Sequence, residues 1–216
     1  VSGDDQLRQL EAMTSLWPAE LKKPRLIATG FWFPAIPPTP PSPKPMLVAL
    51  LQREIPTHLG AKEQLIRLLQ RWAREQTDWT VVLQPDHPWS STRSFAENQI
   101  NNPPNVVDAA PEQMLGLLSR CTACLSVSSP WSLAAMMWGR IPIVVGDYGI
   151  QAEQHTTNFF GCGAMHRLRD LGGLHKLQEL PLVNQDWLEA MGGGIQDGPL
   201  RLLISLDSLS SGTTAP

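Results

Sequence analysis

The chain has 216 residues, 42% of them apolar, enough for a buried core in one large domain or one and a half small ones. Its 17 lysines and arginines are outweighed by 20 aspartates and glutamates, and a net charge of -3 without any long basic run argues against an electrostatic grip on DNA or RNA. No apolar stretch approaches the roughly 20 residues a membrane-spanning helix needs, the opening VSGDDQLRQLEAM lacks the layout of a signal peptide, and three cysteines make no disulfide framework; a reducing, cytoplasmic location is the expectation.

Residues 1–45 begin with an acidic, helix-compatible lead, DDQLRQLEAM, then an apolar run, RLIATGFWF, then PAIPPTPPSPKP. Proline fixes its own backbone and restricts the residue before it, so this last run reads as an extended, polyproline-like linker and a boundary. Residues 46–171 alternate short apolar runs with helical stretches. MLVALL is a buried strand, and AKEQLIRLLQRWAREQ places Leu65, Leu68, Leu69 and Trp72 on one helical face. WTVVLQ and NVVDA are the second and third strands, PEQMLGLLSR is a helix with Pro111 in its first turn, and ACLSVS is the fourth strand. PWSLAAMMWGR is a helix ending near Gly139, and IPIVVGD is the fifth strand. This alternation predicts an α/β fold: a Rossmann-like, open and mainly parallel sheet with helices on both faces. Residues 172–216 have weaker periodicity, a glycine triplet at Gly192 to Gly194, and an end, SLSSGTTAP, expected to be disordered.

In an open parallel sheet, ligands bind outside the carboxyl ends of the strands. Those ends are polar here: Gln52, Arg53 and Glu54 after the first strand, Gln84, Asp86 and His87 after the second, Asp108 after the third, Ser128 and Ser129 after the fourth, and Gly146, Asp147, Tyr148 and Gly149 after the fifth. In SVSSPWSLAAM the two serines precede Pro130, and Ser132 adds a third hydroxyl. Ser129 either caps the following helix or joins Ser128 in holding an anion such as phosphate at the helix start, and the two roles are compatible. His87, between Pro85 and Pro88 with Asp86 beside it, is either a turn residue or an imidazolium that meets a phosphate, neutralising it or acting as general acid as it departs. Tyr148, the sole tyrosine, either stacks on a nucleobase or covers the rim, and Asp147 either contacts ligand or caps the next helix.

His-Pro at the end of one strand and Ser-Ser at the end of a later one resembles the motif pair of bacterial sialyltransferases and related capsule-polysaccharide transferases. SSPWSLAAMMWGRIPIVVGDYGI followed by NFFGCGAM also resembles a further glycosyltransferase family. The resemblance spans Met46 to about Leu171. It implies the C-terminal, nucleotide-sugar-binding half of a GT-B glycosyltransferase, inverting and needing neither metal nor cofactor, with His87, Ser128 and Ser129 on the phosphate of a CMP-activated sugar acid. UDP or GDP sugars are the other donors to consider. The catalytic base of those sialyltransferases is an acidic pair followed by glycine in an N-terminal domain, whereas Asp4 and Asp5 follow Gly3; the base is therefore not carried over.

Two readings stand. One is the donor half of a glycosyltransferase for cell-surface polysaccharide, completed by an acceptor domain or a second copy. The other is a non-catalytic binding or scaffolding module acting with a partner chain. Cys121 and Cys124 form a C-x-x-C without a second pair to complete a zinc set, and read as core thiols.

Overall fold

A computed structural model describes residues 2–53, 55–85 and 102–210. The chain divides into two compact units, residues 36–184 and a second assembled from both ends of the chain, residues 1–35 with 185–216. Among the described residues the α-helices are α1 (Asp4–Ser15), α2 (Leu59–Glu75), α3 (Met114–Arg120), α4 (Ser132–Met137), α5 (Gln185–Ala190) and α6 (Gly198–Ser210).

In the 36–184 unit the five expected runs form β1 (Met46–Leu51), β2 (Thr80–Pro85), β3 (Val106–Asp108), β4 (Ala123–Ser126) and β5 (Ile141–Val145), and Met165–His166 adds a short β6. All pair in parallel, in the order β3-β2-β1-β4-β5-β6. Every residue of β1 is buried, as a strand covered on both faces requires. Alternate strand residues Leu47, Ala49, Val81, Leu83, Leu125 and Ile143 form one cluster with Leu65, Leu69 and Trp72 of α2 and with Leu174 and Leu177. Leu68, expected on the same helical face, packs against that cluster while staying half-buried. Intervening residues such as Val48, Cys124 and Val144 point the other way because side chains alternate along a strand. On that side α3 and α4 pack on each other, α3 also meeting β1 and α4 meeting β4 and β5. The Rossmann-like sheet with helices on both faces is the fold that forms.

Local chemistry sets the element ends. Pro111 opens a 3-10 turn, Pro111–Gln113, that leads into α3. The carboxyl end of α2 is closed by Asn105, whose Nδ2 donates to the carbonyls of Ala73, Gln76 and Trp79 at 2.9, 3.2 and 2.9 Å. Carbonyls left over at the end of the helix thereby find a donor from the turn just before β3. Residues 36–45 of the proline-rich run contain no helix or strand, yet they are strapped to α3: the Ser42 N–H donates to the Arg120 carbonyl at 2.9 Å and Thr39 Oγ1 to that of Gly116 at 3.2 Å.

In the unit made from the chain ends, α1 begins at Asp4, where acidic residues complement the helix dipole. The C-terminal helices had no clear signal in the sequence. Ser205 of α6 is buried while Leu200, Leu203 and Ile204 are exposed, an inversion of the usual amphipathic pattern. Ser208 to Ser210, taken from sequence as the start of a disordered tail, instead complete α6; residues 211–216 lie outside those described. Glycines let the two ends meet backbone to backbone. Gly192 has φ +104°, and a Cβ there would collide with the Ser2 carbonyl, which accepts the Gly30 N–H at 2.8 Å. A Cβ on Gly198 would strike the Thr29 carbonyl. Among the described residues, no helix is long and apolar enough to cross a membrane.

Candidate functional site

Because all strands run parallel, their carboxyl ends share one rim, and the register sets its level: Leu50 of β1 lies beside Gln84 of β2 and Ser126 of β4. The chain reverses its direction of progress across the sheet between β1 and β4, and such a switch point opens a crevice between diverging connections. Gln52 and Ser128 meet there. The Ser128 N–H donates to Gln52 Oε1 at 3.0 Å, and Gln52 Nε2 approaches Ser128 Oγ at 3.4 Å. Beside them is a small cavity of about 10 Å³, lined in part by Ile55, Pro56, Lys62 and Val127. Lys62 Nζ reaches across to the Arg53 carbonyl, holding the start of α2 to the loop after β1.

The remaining expected residues lie around this pair at different depths. Ser129 is fully buried and its Oγ has no hydrogen-bond partner among the described residues. It does not cap α4, which starts only at Ser132; its carbonyl instead accepts the Ser132 N–H at 3.1 Å and the Ser132 hydroxyl at 2.6 Å. Gln84 is fully buried, with Nε2 donating to the carbonyls of Pro85 at 2.8 Å and Ala110 at 3.3 Å. Gly146 to Tyr148 form a 3-10 turn after β5, closed by Gly149 at φ 74°. Asp147 Oδ2 accepts the Leu168 N–H at 2.8 Å, at the start of the 3-10 turn Leu168–Asp170. The Tyr148 hydroxyl approaches the Ala61 carbonyl of α2 at 3.5 Å, and burial, then the charge of Asp147, push its pKa up, so it remains a proton donor. Asp86, His87 and Glu54 lie outside the described residues. β2, which leads to His87, and β4, which leads to Ser128, both flank β1, so their ends are two strand spacings apart, about 10 Å.

Sequence reasoning did not single out Thr57, Gln154 and Thr156. The buried Gln154 donates from Nε2 to Thr57 Oγ1 at 2.9 Å, joining the loops after β5 and β1, and its Oε1 is without a partner among the described residues. Thr156 braces the same loop, accepting the Gln151 N–H at 2.8 Å and donating to the Gly149 carbonyl at 2.9 Å. Next to it His155 holds a left-handed backbone, φ 54°, which is uncommon for a residue with a side chain. A run of small polar residues in a loop carries no periodicity, so nothing in the sequence separated these from ordinary loop residues.

Cys121, Cys124 and Cys162 are free and buried, and no cluster of His, Cys, Asp and Glu among the described residues is arranged to hold a metal. Burial pushes the Cys121 thiol up to about 12, against a smaller opposing effect of Arg140, and raises Cys124 and Cys162 as well. Thiolate, the reactive form, is therefore scarce at pH 8. The folded protein is expected to react with a disulfide reagent at pH 8 at least 100-fold more slowly than the denaturant-unfolded chain; fast labelling of the folded protein would refute this.

The model of a family described as "Putative glycosyltransferase (DUF6716)" matches residues 18–193, well over half of the chain. This chain is a member of the DUF6716 family. No curated protein matches it. Among solved structures, the DUF6716 chain is similar to a "putative UDP-N-acetylglucosamine 2-epimerase from Listeria monocytogenes", with 15% identity, a TM-score of 0.52, and coverage of 81% of this chain and 48% of that one. It is also similar to the calicheamicin glycosyltransferase CalG4, with 19% identity, a TM-score of 0.48, and coverage of 80% and 44%. For the glycosyltransferase SnogD from Streptomyces nogalater the values are 16%, 0.43, and 92% and 55%. The DUF6716 chain thus spans about half the length of the structures it matches.

Proposed function

We propose that this chain is the donor-binding half of a GT-B glycosyltransferase, holding a nucleotide-activated sugar in the crevice at the sheet's switch point. The observation that carries the reading is the Gln52–Ser128 pair, which brings amide and hydroxyl groups to the place where a parallel sheet of this order receives ligands. Family membership supports the reaction class. In this reading His87 protonates or neutralises the departing phosphate, with Ser128 and Ser129 beside it, and stabilisation of that charge strengthens as water leaves the crevice. Gln84, Ser132 and the Gly146 to Gly149 turn shape the floor and wall. The favoured donor is a CMP-linked sugar acid and the product a cell-surface polysaccharide. The half-length match calls for an acceptor-binding partner domain.

The binding-module alternative draws on one observation, the small volume of the cavity at the switch point, about 10 Å³. Calorimetric titration with CMP, UDP and GDP separates the two. CMP should bind, about 5- to 10-fold more weakly to Gln52→Ala and about 10- to 100-fold more weakly to His87→Ala, as loss of a neutral and a charge-assisted hydrogen bond predicts. Preference for UDP or GDP would keep the transferase and change the donor. Silence with all three would overturn the donor-binding reading.

A further inference from the structure

Away from the switch point, one side of α2 forms the wall of an open cleft of about 400 Å³. Gln64, Arg67, Leu68 and Arg71 follow the i, i+3, i+4, i+7 spacing and so lie in one stripe along that wall. The facing wall comes from the segments after β5 and β6, with Tyr148, Leu168 and Arg169. Three guanidiniums, an amide, a phenol and the Asp147 carboxylate thus border one concave surface with apolar groups between them, on a chain whose net charge is negative.

Three carboxylates lie close to these cations. Glu63 pairs with Arg67 at 3.0 Å and Asp170 with Arg169 at 3.5 Å, both solvent-exposed pairs of the kind worth little. Asp147 is committed to the Leu168 N–H. Exposed guanidiniums can exchange such partners for a ligand at small cost. A monoanion would only equal the carboxylates already there, whereas a phosphate dianion offers more charge and oxygens spaced for the guanidinium fork. The cleft is also larger than a phosphate alone fills and falls within the size range of small-molecule sites.

We propose that this cleft binds a phosphomonoester carried on a small organic body, with Arg67, Arg71 and Arg169 around the phosphate and Leu68, Leu168 and the Tyr148 ring against the body. The cleft shares the Tyr148 turn with the wall of the switch-point crevice but takes its cations from α2 and from Arg169, and the proposal does not rest on the donor-binding reading. Its ligand is either a free phosphorylated metabolite or the headgroup of a phosphomonoester lipid.

The test uses glycerol 3-phosphate in solution, followed by arginine side-chain NMR, and sedimentation with phosphatidylcholine vesicles containing phosphatidic acid. Saturable binding of glycerol 3-phosphate without vesicle association identifies a metabolite site, and vesicle association identifies a lipid headgroup site. In either case Arg71→Glu with Arg169→Glu should weaken binding at least 10-fold. Arg74→Glu, an Arg-to-Glu change on the same helix outside the cleft and half the charge change of the double variant, should alter it less than twofold, and Gln52→Ala should leave it unchanged. Binding of neither probe, or equal weakening by Arg74→Glu, would overturn the proposal.

Discussion

Replacing Leu125 with alanine is expected to lower the unfolding free energy of the 36–184 unit by about 3–4 kcal/mol, within the range for buried leucines whose cavities collapse incompletely. Leu125 is fully buried in β4, between Ala49 of β1 and Ile143 of β5. Its neighbours there are strand residues fixed by hydrogen bonds on both sides and cannot close over the missing methyls. Trimming Val107 to alanine on the edge strand β3, where the side chain is 47% exposed, should cost about 0.5 kcal/mol or less. Urea unfolding of the two variants, followed by tryptophan fluorescence, checks the contrast. Equal losses would mean that the sheet's centre is not where the stability resides.

The second large effect is expected at Gly192. Valine there must adopt φ +104°, a conformation nearly closed to branched side chains, and its Cβ would occupy the space of the Ser2 carbonyl. Strain of this kind costs about 1–3 kcal/mol before the clash is counted, so the pairing of the chain's two ends should fail. Hydrogen exchange separates this from general unfolding. The amides of Leu7 in α1 and Met191 after α5, bonded to the carbonyls of Gly3 and Trp187, should exchange quickly in Gly192→Val. Those of β1 and β4 should remain protected, and uniform loss of protection would count against two separable units.

The sheet was legible because β1, β2 and β5 are apolar runs rich in branched residues and β4 a short apolar run, and the level of the rim followed from where each run stops. β6 was not legible, since a two-residue strand has no room for a pattern. Nor was α6, because Leu200, Leu203 and Leu206 face outward and Ser205 faces in, so periodicity pointed to no buried stripe. At the site, sequence position identified Gln52 and Ser128 as rim residues, and they meet. It did not reveal depth: Gln84 and Ser129 stand at the same ends of β2 and β4, the strands on either side of β1, yet both are fully buried. Depth is set by contacts distant in sequence: Gln84 donates to the Ala110 carbonyl after β3, and the Gln154–Thr57 contact between the loops after β5 and β1 spans nearly a hundred residues with no local signature.

The meeting of Ser2, Gly30, Gly192 and Gly198 also dictates an order of events on the ribosome. Domains generally fold as they emerge, the N-terminal one first. Here residues 1–35 cannot complete their unit until α6 has been translated, while the strands of the six-stranded sheet are all present once Asn184 has been made. The 36–184 unit should therefore be native while residues 1–35 still wait for residues 185–210, and a nascent chain stalled at Asn184 should carry a finished sheet with an unpaired α1.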